Sequence, residues 1–244
     1  YMAKHAYRNT RTSDLWAAIE QAGATGLTSI AQDFTTKPGI PLIEVGPAQC
    51  VDGRTVATVT QSQFSNDRRP QALAAPLSWH VPVRAAAGGE PTQVITAART
   101  TRIEAPGCGV LLVNSGQTGY FRTLYAPAQA AAIRGAFPKI DPIDQYGLLS
   151  DALALSGAGY QPMGPALDLL AAVPSEAHAK VFAKALASWG NFFQELAGEP
   201  AAQAAVKARA LAHYGPRLER LGFVPRAGEP PLDLLGHDLG RVLL

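Results

Sequence analysis

The chain has 244 residues, which is enough for one or two complete domains of ordinary size. It is 47% hydrophobic and 16% charged, a composition typical of globular rather than disordered proteins. Its 21 basic and 19 acidic residues leave a formal net charge of +2, so no strong field attracts a polyanion. These figures exclude a disordered chain and argue against a nucleic-acid partner.

Nothing in the sequence predicts a membrane span or a signal peptide. A transmembrane helix needs about 20 uninterrupted apolar residues, and every apolar run here is broken by Arg, Asp, Gly or Pro. The first residues lack the apolar core and cleavage site of a signal peptide. We therefore expect a soluble protein, cut from a longer chain because it begins with Tyr1, and its compartment (cytoplasmic, periplasmic or secreted) stays open.

The two cysteines leave a second question open. Cys50 and Cys108 could pair if their strands adjoin, but two thiols in a chain of this size fit a reducing compartment equally well.

Residues 1–33 have a helical pattern that is interrupted at residues 9–11. Thr12 or Ser13 is predicted to cap the second helix, with Asp14 in its first turn, where the helix dipole favours an acid.

From about residue 41 to 126, short β-type runs alternate with turn residues, which predicts a small antiparallel β-sandwich. Asp52-Gly53 is a hairpin signal. Asn114 to Gly119 is interpreted as a further hairpin connection, because its two glycines suit positive φ. The predicted strands are 41–45, 54–64, 77–84, 92–98, 109–114 and 119–125.

Residues 127–244 are predicted to form an all-α, solenoid-like domain, since alanine and leucine replace the β-branched residues there. Asp141-Pro142 starts one helix, and Ser175 is predicted to cap another. Pro200 starts a third, which Pro216 kinks or ends. The fold class is thus α+β and multi-domain: a short helical segment, a sandwich and a helical domain.

The sequence predicts no catalytic residue and no metal ligand in this chain. Zinc hydrolases place two histidines one helical turn apart beside a carboxylate, and no two of the five histidines lie three or four residues apart. A serine nucleophile in Gly-x-Ser-x-Gly is missing, and no histidine lies close in sequence to either cysteine.

Several phrases together resemble the M1 (gluzincin) zinc aminopeptidases, aminopeptidase N-like, from near the first residue to about residue 125 and more loosely beyond. The most specific phrase is Val113-Asn114-x-Gly116-Gln117-Thr118-Gly119-Tyr120-Phe121-Arg122-x-Leu124-Tyr125. Phe34 and Ile40 stand where the family favours tryptophan and an aromatic residue, which weakens the match only slightly. The family-signature residues, mainly structural, are Asn9, Asp14, Trp16, Gly39, Pro41, Trp79, Pro82, Asn114, Gly116, Gly119, Tyr120, Arg122 and Tyr125.

This resemblance implies three parts: the last helices of a thermolysin-like catalytic domain (1–40), a β-sandwich domain (41–126) and an α-helical C-terminal domain (127–244). It implies a parent enzyme that uses zinc to remove N-terminal residues from peptides, while this chain holds no cofactor. Its partners would be the missing N-terminal catalytic domain of the same chain and the peptide substrate, which it would help to enclose.

The alternative is an independent β-sandwich and helical-repeat module that binds a protein or peptide. The amino end discriminates between the two hypotheses. An autonomous module would bury the apolar face of residues 1–33 internally, whereas a part of a catalytic domain would leave that face uncovered in this chain.

Overall fold

The protein is described from a computed structural model, which covers residues 1–222 together with Val224 and Gly228. The chain forms two compact units, Tyr1–Gln129 and Ala130–Leu244. The first contains helices and sheets and the second is helical, which confirms the predicted fold class. The first unit begins with the helices α1 (Met2–His5), α2 (Thr12–Gln21) and α3 (Leu27–Thr36).

The cap of α2 lies one residue earlier than predicted. Arg11 is the N-cap, and the Asp14 carboxylate reaches back to accept a hydrogen bond of 2.8 Å from its backbone N–H. Thr12 and Ser13 are already helical, so they were wrongly predicted as caps. The acid at the third helical position satisfies a backbone donor that the helix leaves without a partner.

The larger sheet of the first unit is built around its longest strand, β3. Both β1 and β2 run antiparallel along one edge of β3, and β6 runs antiparallel along the other. Asp52 and Gly53 form the predicted tight turn between β2 and β3, both with positive φ. The strands of this sheet are β1 (Ile40–Val45), β2 (Gln49–Val51), β3 (Arg54–Phe64), β6 (Thr100–Pro106) and β8 (Arg122–Tyr125).

One pairing in this sheet contradicts the prediction of a wholly antiparallel sandwich. β8 lies parallel to β1, in a register that runs from Leu42 opposite Arg122 to Val45 opposite Tyr125. The chain reaches β8 from the second sheet rather than through a tight turn, so it can enter alongside β1 in the same direction.

The second sheet has the order β5-β4-β7. Its strands are shorter than the sequence predicts, since the run 77–84 becomes a strand only at Val81 and the run 109–114 keeps two strand residues. A short helix, α4 (Arg69–Ala74), lies between β3 and this sheet in the chain. The strands are β4 (Val81–Ala86), β5 (Thr92–Thr96) and β7 (Leu112–Val113).

The core of the sandwich consists of small aliphatic side chains around Trp79, which is 1% exposed. A buried glutamine, Gln61, forms two hydrogen bonds with the backbone of Trp79: its side-chain amide donates to the Trp79 carbonyl at 3.0 Å and accepts from the Trp79 N–H. This pairing satisfies two main-chain groups that the core would otherwise leave without partners.

The structure answers the question left open for the cysteines. Cys50 in β2 and Cys108, in the bend after β6, form a disulfide, with their Cα atoms 5.2 Å apart. The strands β2 and β6 lie on opposite edges of β3, and the cysteines meet where the bend after β6 brings Gly107 beside Arg54 at the start of β3.

The second unit consists of helices packed as neighbouring pairs, α6 with α7 and α8 with α9, while α6 also packs on α8. Asp141-Pro142 starts α6 as predicted. The aromatic stripe of α8 is core, with Phe182 and Trp189 almost fully buried. The helices are α6 (Pro142–Gly157), α7 (Met163–Ala171), α8 (Ala179–Glu195) and α9 (Pro200–Leu221), preceded by α5 (Pro127–Ala136).

One predicted detail of this unit was wrong, and one of the two alternatives given for Pro216 is excluded. His178, not Ser175, is the N-cap of α8, and its ring nitrogen accepts from the backbone N–H of Lys180 at 3.3 Å. Pro216 does not end α9, which continues to Leu221. Phe223, Glu229 and His237, in the last part of the predicted helical domain, lie outside the described residues.

Candidate functional site

The first two helices and the residues beside them leave several apolar side chains exposed. Neither α1 nor α2 contains a buried residue. Tyr7 and Met2 are 108% and 79% exposed, and Tyr1 and Ile19 are exposed as well. Exposed apolar side chains that occur together mark a surface that normally contacts something else. We call Tyr1, Met2, Tyr7 and Ile19 the amino-terminal apolar group.

The connection between α2 and α3 is polar. The Glu20 carboxylate accepts from both the backbone N–H and the hydroxyl of Thr28, at 2.9 and 2.6 Å. The hydroxyl of Thr28, followed by its backbone N–H, lowers the pKa of Glu20 because both bonds favour the charged carboxylate. These bonds link α2 to the first turn of α3.

α3 in turn is attached to the sandwich through Asp33, which is buried. The Asp33 carboxylate accepts from the backbone N–H of His80 at 2.7 Å and lies 2.6 Å from the ring Nδ1 of the same residue. Its other oxygen lies 2.6 Å from the Lys37 ammonium, which also donates to the Ser78 carbonyl. We call Asp33, Lys37 and His80 the latch.

Burial of Asp33 works to raise its pKa, but hydrogen bonds from Lys37 and His80 outweigh that effect and hold the pKa below its usual value. The carboxylate is therefore charged over the physiological range. His80 keeps a side chain that is 42% exposed while its Nδ1 is engaged by Asp33.

The segment Asn114–Gly119 carries the chain from one sheet to the other, and we call it the arch. The predicted hairpin is wrong, because β7 pairs with β4 whereas β8 pairs with β1. Asn114, Gly116 and Gln117 all have positive φ. The Asn114 side chain stabilises this backbone, since it accepts from the Gly119 N–H at 2.7 Å and donates to the Gly119 carbonyl at 3.0 Å.

Two tyrosines flank the arch in different ways. The hydroxyl of Tyr125 accepts from the Val113 N–H at 2.8 Å and donates to the Val113 carbonyl at 3.2 Å, so it replaces a strand partner. Tyr120 is 71% exposed, and its ring meets Phe34 of α3 edge to face, with centroids 6.3 Å apart. The arch thus provides a second contact for the amino-terminal helices.

The signature residues do not gather in one place. Six of them, those from Asn114 to Tyr125, form the arch and β8. Trp79 and Pro82 lie at the start of β4, and Gly39 precedes β1 with Pro41 inside it. Asn9, Asp14 and Trp16 lie in α2 or just before it. Across the part of the chain that the structure describes, no group of three or more His, Cys, Asp or Glu is placed to hold a metal ion.

Sequence reasoning missed the latch and Gln61. The available signal for Gln61 was its phase: it falls on the buried face of β3, in step with Ala57 and Val59. Asp33 and Lys37 are four residues apart on one helix face, which hinted at an ion pair. No local pattern pointed to His80 as their third member, since it lies 47 residues away from Asp33.

In the helical unit, α9 uses its polar side chains to hold the connection between α7 and α8. The buried Tyr214 hydroxyl donates to the Leu170 carbonyl at 2.8 Å, and the Arg217 guanidinium donates to the carbonyls of Ser175 and Ala177. Arg217 also lies over the Phe182 ring, 3.9 Å from its centroid. Carbonyls that a helix end leaves free are thereby paired.

The sequence profile of the ERAP1-like C-terminal domain family matches residues 110–236, just over half of the chain. The chain belongs to this family. The matched segment starts just before β7, so it includes the arch and β8 as well as the described helices from α5 onward.

Curated relatives extend the likeness over nearly the whole chain. Aminopeptidase M1-A of Oryza sativa subsp. japonica is 26% identical over 96% of this chain, and aminopeptidase N of Lactococcus lactis subsp. lactis is 24% identical over 96%. Puromycin-sensitive aminopeptidase of Caenorhabditis elegans is 30% identical over 65%. The chain spans only 17% to 27% of the length of these three relatives.

Together these matches confirm the resemblance to a C-terminal portion of an M1 aminopeptidase. No helix among the described residues is long and apolar enough to cross a membrane.

Proposed function

We propose that this chain is a non-catalytic C-terminal part of a zinc-dependent M1 aminopeptidase that removes N-terminal residues from peptides. In this proposal the chain supports the catalytic domain and helps to enclose the peptide. The observation that carries it is the amino end, where two helices of a family member contain no fully buried side chain. The greater length of the relatives supplies the missing partner.

The occupant of this uncovered surface is proposed to be the preceding part of the same polypeptide. Helices of four and ten residues are too short to be stable in water on their own, where about 12 to 15 residues are marginal. Most helix stability in proteins comes from packing an apolar face. Packing the amino-terminal apolar group against the catalytic domain would provide it.

The latch supports the second element of the proposal, mechanical support. A buried carboxylate held by two cationic or potentially cationic groups fixes both the position and the orientation of α3. In this proposal, a force on α2 is transmitted to the sandwich first through the hydrogen bonds that Glu20 accepts, which we call the Glu20 clamp, and then through Asp33. The sandwich would thus act as the base on which the last helices of the catalytic domain rest.

The described residues include no cluster of three metal-ligating side chains that would fit a zinc site. We therefore assign the metal of the parent enzyme to its preceding part. The helical unit is proposed to enclose the peptide, because stacked helix pairs form the extended surfaces on which such proteins bind ligands.

The direct test compares this chain with the intact protein in the hydrolysis of a panel of aminoacyl-coumarin reporters. We expect the intact protein to be active, to lose activity to a chelator and to regain it with zinc. The 244-residue chain alone should match the buffer rate. Chelator-sensitive cleavage by the chain alone would overturn the proposal.

A matched pair of variants tests the docking surface separately. Ile19 in α2 and Val94 in β5 are 37% and 36% exposed, so each accepts a charge equally well in this chain. In the intact enzyme, Ile19→Glu should lower the melting temperature and the activity, whereas Val94→Glu should change neither. Equal behaviour of the two variants in the intact enzyme would favour the alternative, an independent interaction module.

A further inference from the structure

The disulfide lies at an exposed corner of the sandwich. Cys50 is in the centre of β2, a strand of three exposed residues, and Cys108 is in an exposed bend after β6. The two cysteines are 58 residues apart in sequence, and the pairing of β3 with β6 brings their segments together. The Cα separation of 5.2 Å falls within the usual range for a disulfide.

The backbone brings these cysteines together by bonds that do not involve sulfur. The Gly107 N–H donates to the Gly53 carbonyl at 3.0 Å, and the Thr55 hydroxyl donates to the Gly107 carbonyl at 2.8 Å. Gly107 has a φ of 91°, and a Cβ there would collide with the Ala87 carbonyl, so only glycine suits this turn. The turn places Cys108 beside the β2–β3 hairpin whether or not the thiols are oxidised.

Both sulfurs belong to exposed residues, and this decides which environment suits the bond. A disulfide at the surface is open to attack by small thiols such as glutathione. Disulfides persist in secreted, periplasmic and surface proteins and are rare where glutathione and thioredoxin keep thiols reduced. Two thiols held this close at the surface would form a disulfide cross-link only in a secreted, periplasmic or cell-surface environment.

We infer that this protein folds and acts in an oxidising compartment, where Cys50 and Cys108 are joined by exchange with an oxidised dithiol oxidoreductase. The thiolate of one cysteine attacks the disulfide of the oxidoreductase and releases one of its thiolates. The thiolate of the other cysteine then displaces the second, forming the Cys50–Cys108 bond. The protein is oxidised by two electrons and loses two protons, and the oxidoreductase is reduced to its dithiol. This inference does not rest on the proposed function.

The decisive measurement is the thiol state of the intact protein in its own cells. Cells are lysed in N-ethylmaleimide, and the purified protein is then reduced, treated with iodoacetamide and digested for mass spectrometry. We expect iodoacetamide on both cysteines, and, without reduction, a cross-linked pair containing the tryptic peptide of residues 103–122. N-ethylmaleimide on both cysteines of most molecules would overturn the inference.

A second measurement tests whether the bond stabilises the fold. Reductant should lower the melting temperature of the oxidised chain by roughly 4 to 8 °C, because a cross-link restricts the unfolded chain. Cys50→Ser, Cys108→Ser and the double variant should all melt near the reduced wild type and ignore reductant. A wild-type melting temperature that reductant leaves unchanged would contradict a stabilising cross-link.

Discussion

The helices α2 and α8 show how differently two amphipathic helices of one chain can be used. α8 has 17 residues and buries eight of them, including Phe182 and Trp189. α2 has ten residues, among them Leu15, Trp16 and Ile19, and buries none. Because both helices carry apolar side chains, the difference lies in the neighbours that each one has in this chain.

This contrast teaches that two kinds of attachment hold the molecule together. The helical unit is stabilised by its own apolar core, with polar bonds at helix ends. The amino-terminal helices are held by the packing of Phe34 on Tyr120 and against the sandwich core, and by the Glu20 clamp and the latch, which are polar. Such polar attachments position an element but do little to stabilise it, since their net contributions are small.

The largest expected effect distinguishes the two tryptophans. Trp189→Ala should lower the free energy of unfolding by about 4 kcal/mol, because it opens a cavity in a closed core. Trp16→Ala should cost less than about 1 kcal/mol in this chain, since that side chain is only half-buried. Chemical denaturation of both variants checks the difference. In the intact enzyme the cost of Trp16→Ala should rise, and a cost that stays the same would break the comparison.

Next in size is the latch. Asp33→Asn should destabilise the first unit by about 2 kcal/mol, because it removes the charge that Lys37 and His80 face. The wild type should lose this contribution as the pH falls from about 4, the ordinary pKa of an aspartate, through the lower pKa of the folded state. The variant should lack this acid-dependent loss, which is measured as the free energy of unfolding of both proteins over a range of pH. If the two proteins lose stability in parallel as the pH falls, the role given to Asp33 is contradicted.

A similar effect is expected at the arch. Gly119→Ala should cost about 1.5 kcal/mol, because a Cβ at Gly119 would overlap the ring of Phe121, which is only 5% exposed and has little room to move. Gly135→Ala in α5 is the control. It meets no atom within 4 Å and should stabilise its helix by roughly 0.5 to 1 kcal/mol. In thermal unfolding, the melting temperature should fall for Gly119→Ala and rise for Gly135→Ala.

The smallest expected effect is in the helical unit. Tyr214→Phe should cost about 1 kcal/mol, since it removes the shorter of two hydrogen bonds to the Leu170 carbonyl, which keeps the Val173 N–H at 3.3 Å, while the apolar packing stays intact. Burial raises the pKa of Tyr214, so the native phenol stays protonated where the unfolded one ionises. Stability of the wild type should therefore fall as the pH rises above about 10, and the variant should lack that part of the fall.

The elements that follow from local chemistry were predictable. The turn at Asp52-Gly53, the helix start at Asp141-Pro142 and the buried stripe of α8 each depend on residues close in sequence. The strand β6 was missed because Ile103 and Ala105 are its only buried apolar residues, too few to mark a strand among polar neighbours.

What could not be predicted involves partners distant in the chain. The parallel pairing of β1 with β8, the disulfide and the contact of Asp33 with His80 join residues 47 to 80 positions apart. The hairpin expected at Asn114 to Gly119 failed for the same reason. Positive φ values mark a sharp change of direction, but not which sheet the next strand joins.

The parallel pairing of β1 and β8 has a consequence for how loop lengths in such proteins can change during evolution. The chain enters the sandwich at one end of this strand pair and leaves it at the other. The entry and exit points of the whole domain are therefore separated by little more than one strand length. Four paired positions at about 3.3 Å each set that advance. Loops among the intervening strands can lengthen or shorten without altering it. The distance between the points where the chain enters and leaves the sandwich therefore depends on two short strands and not on the roughly 75 residues folded between them.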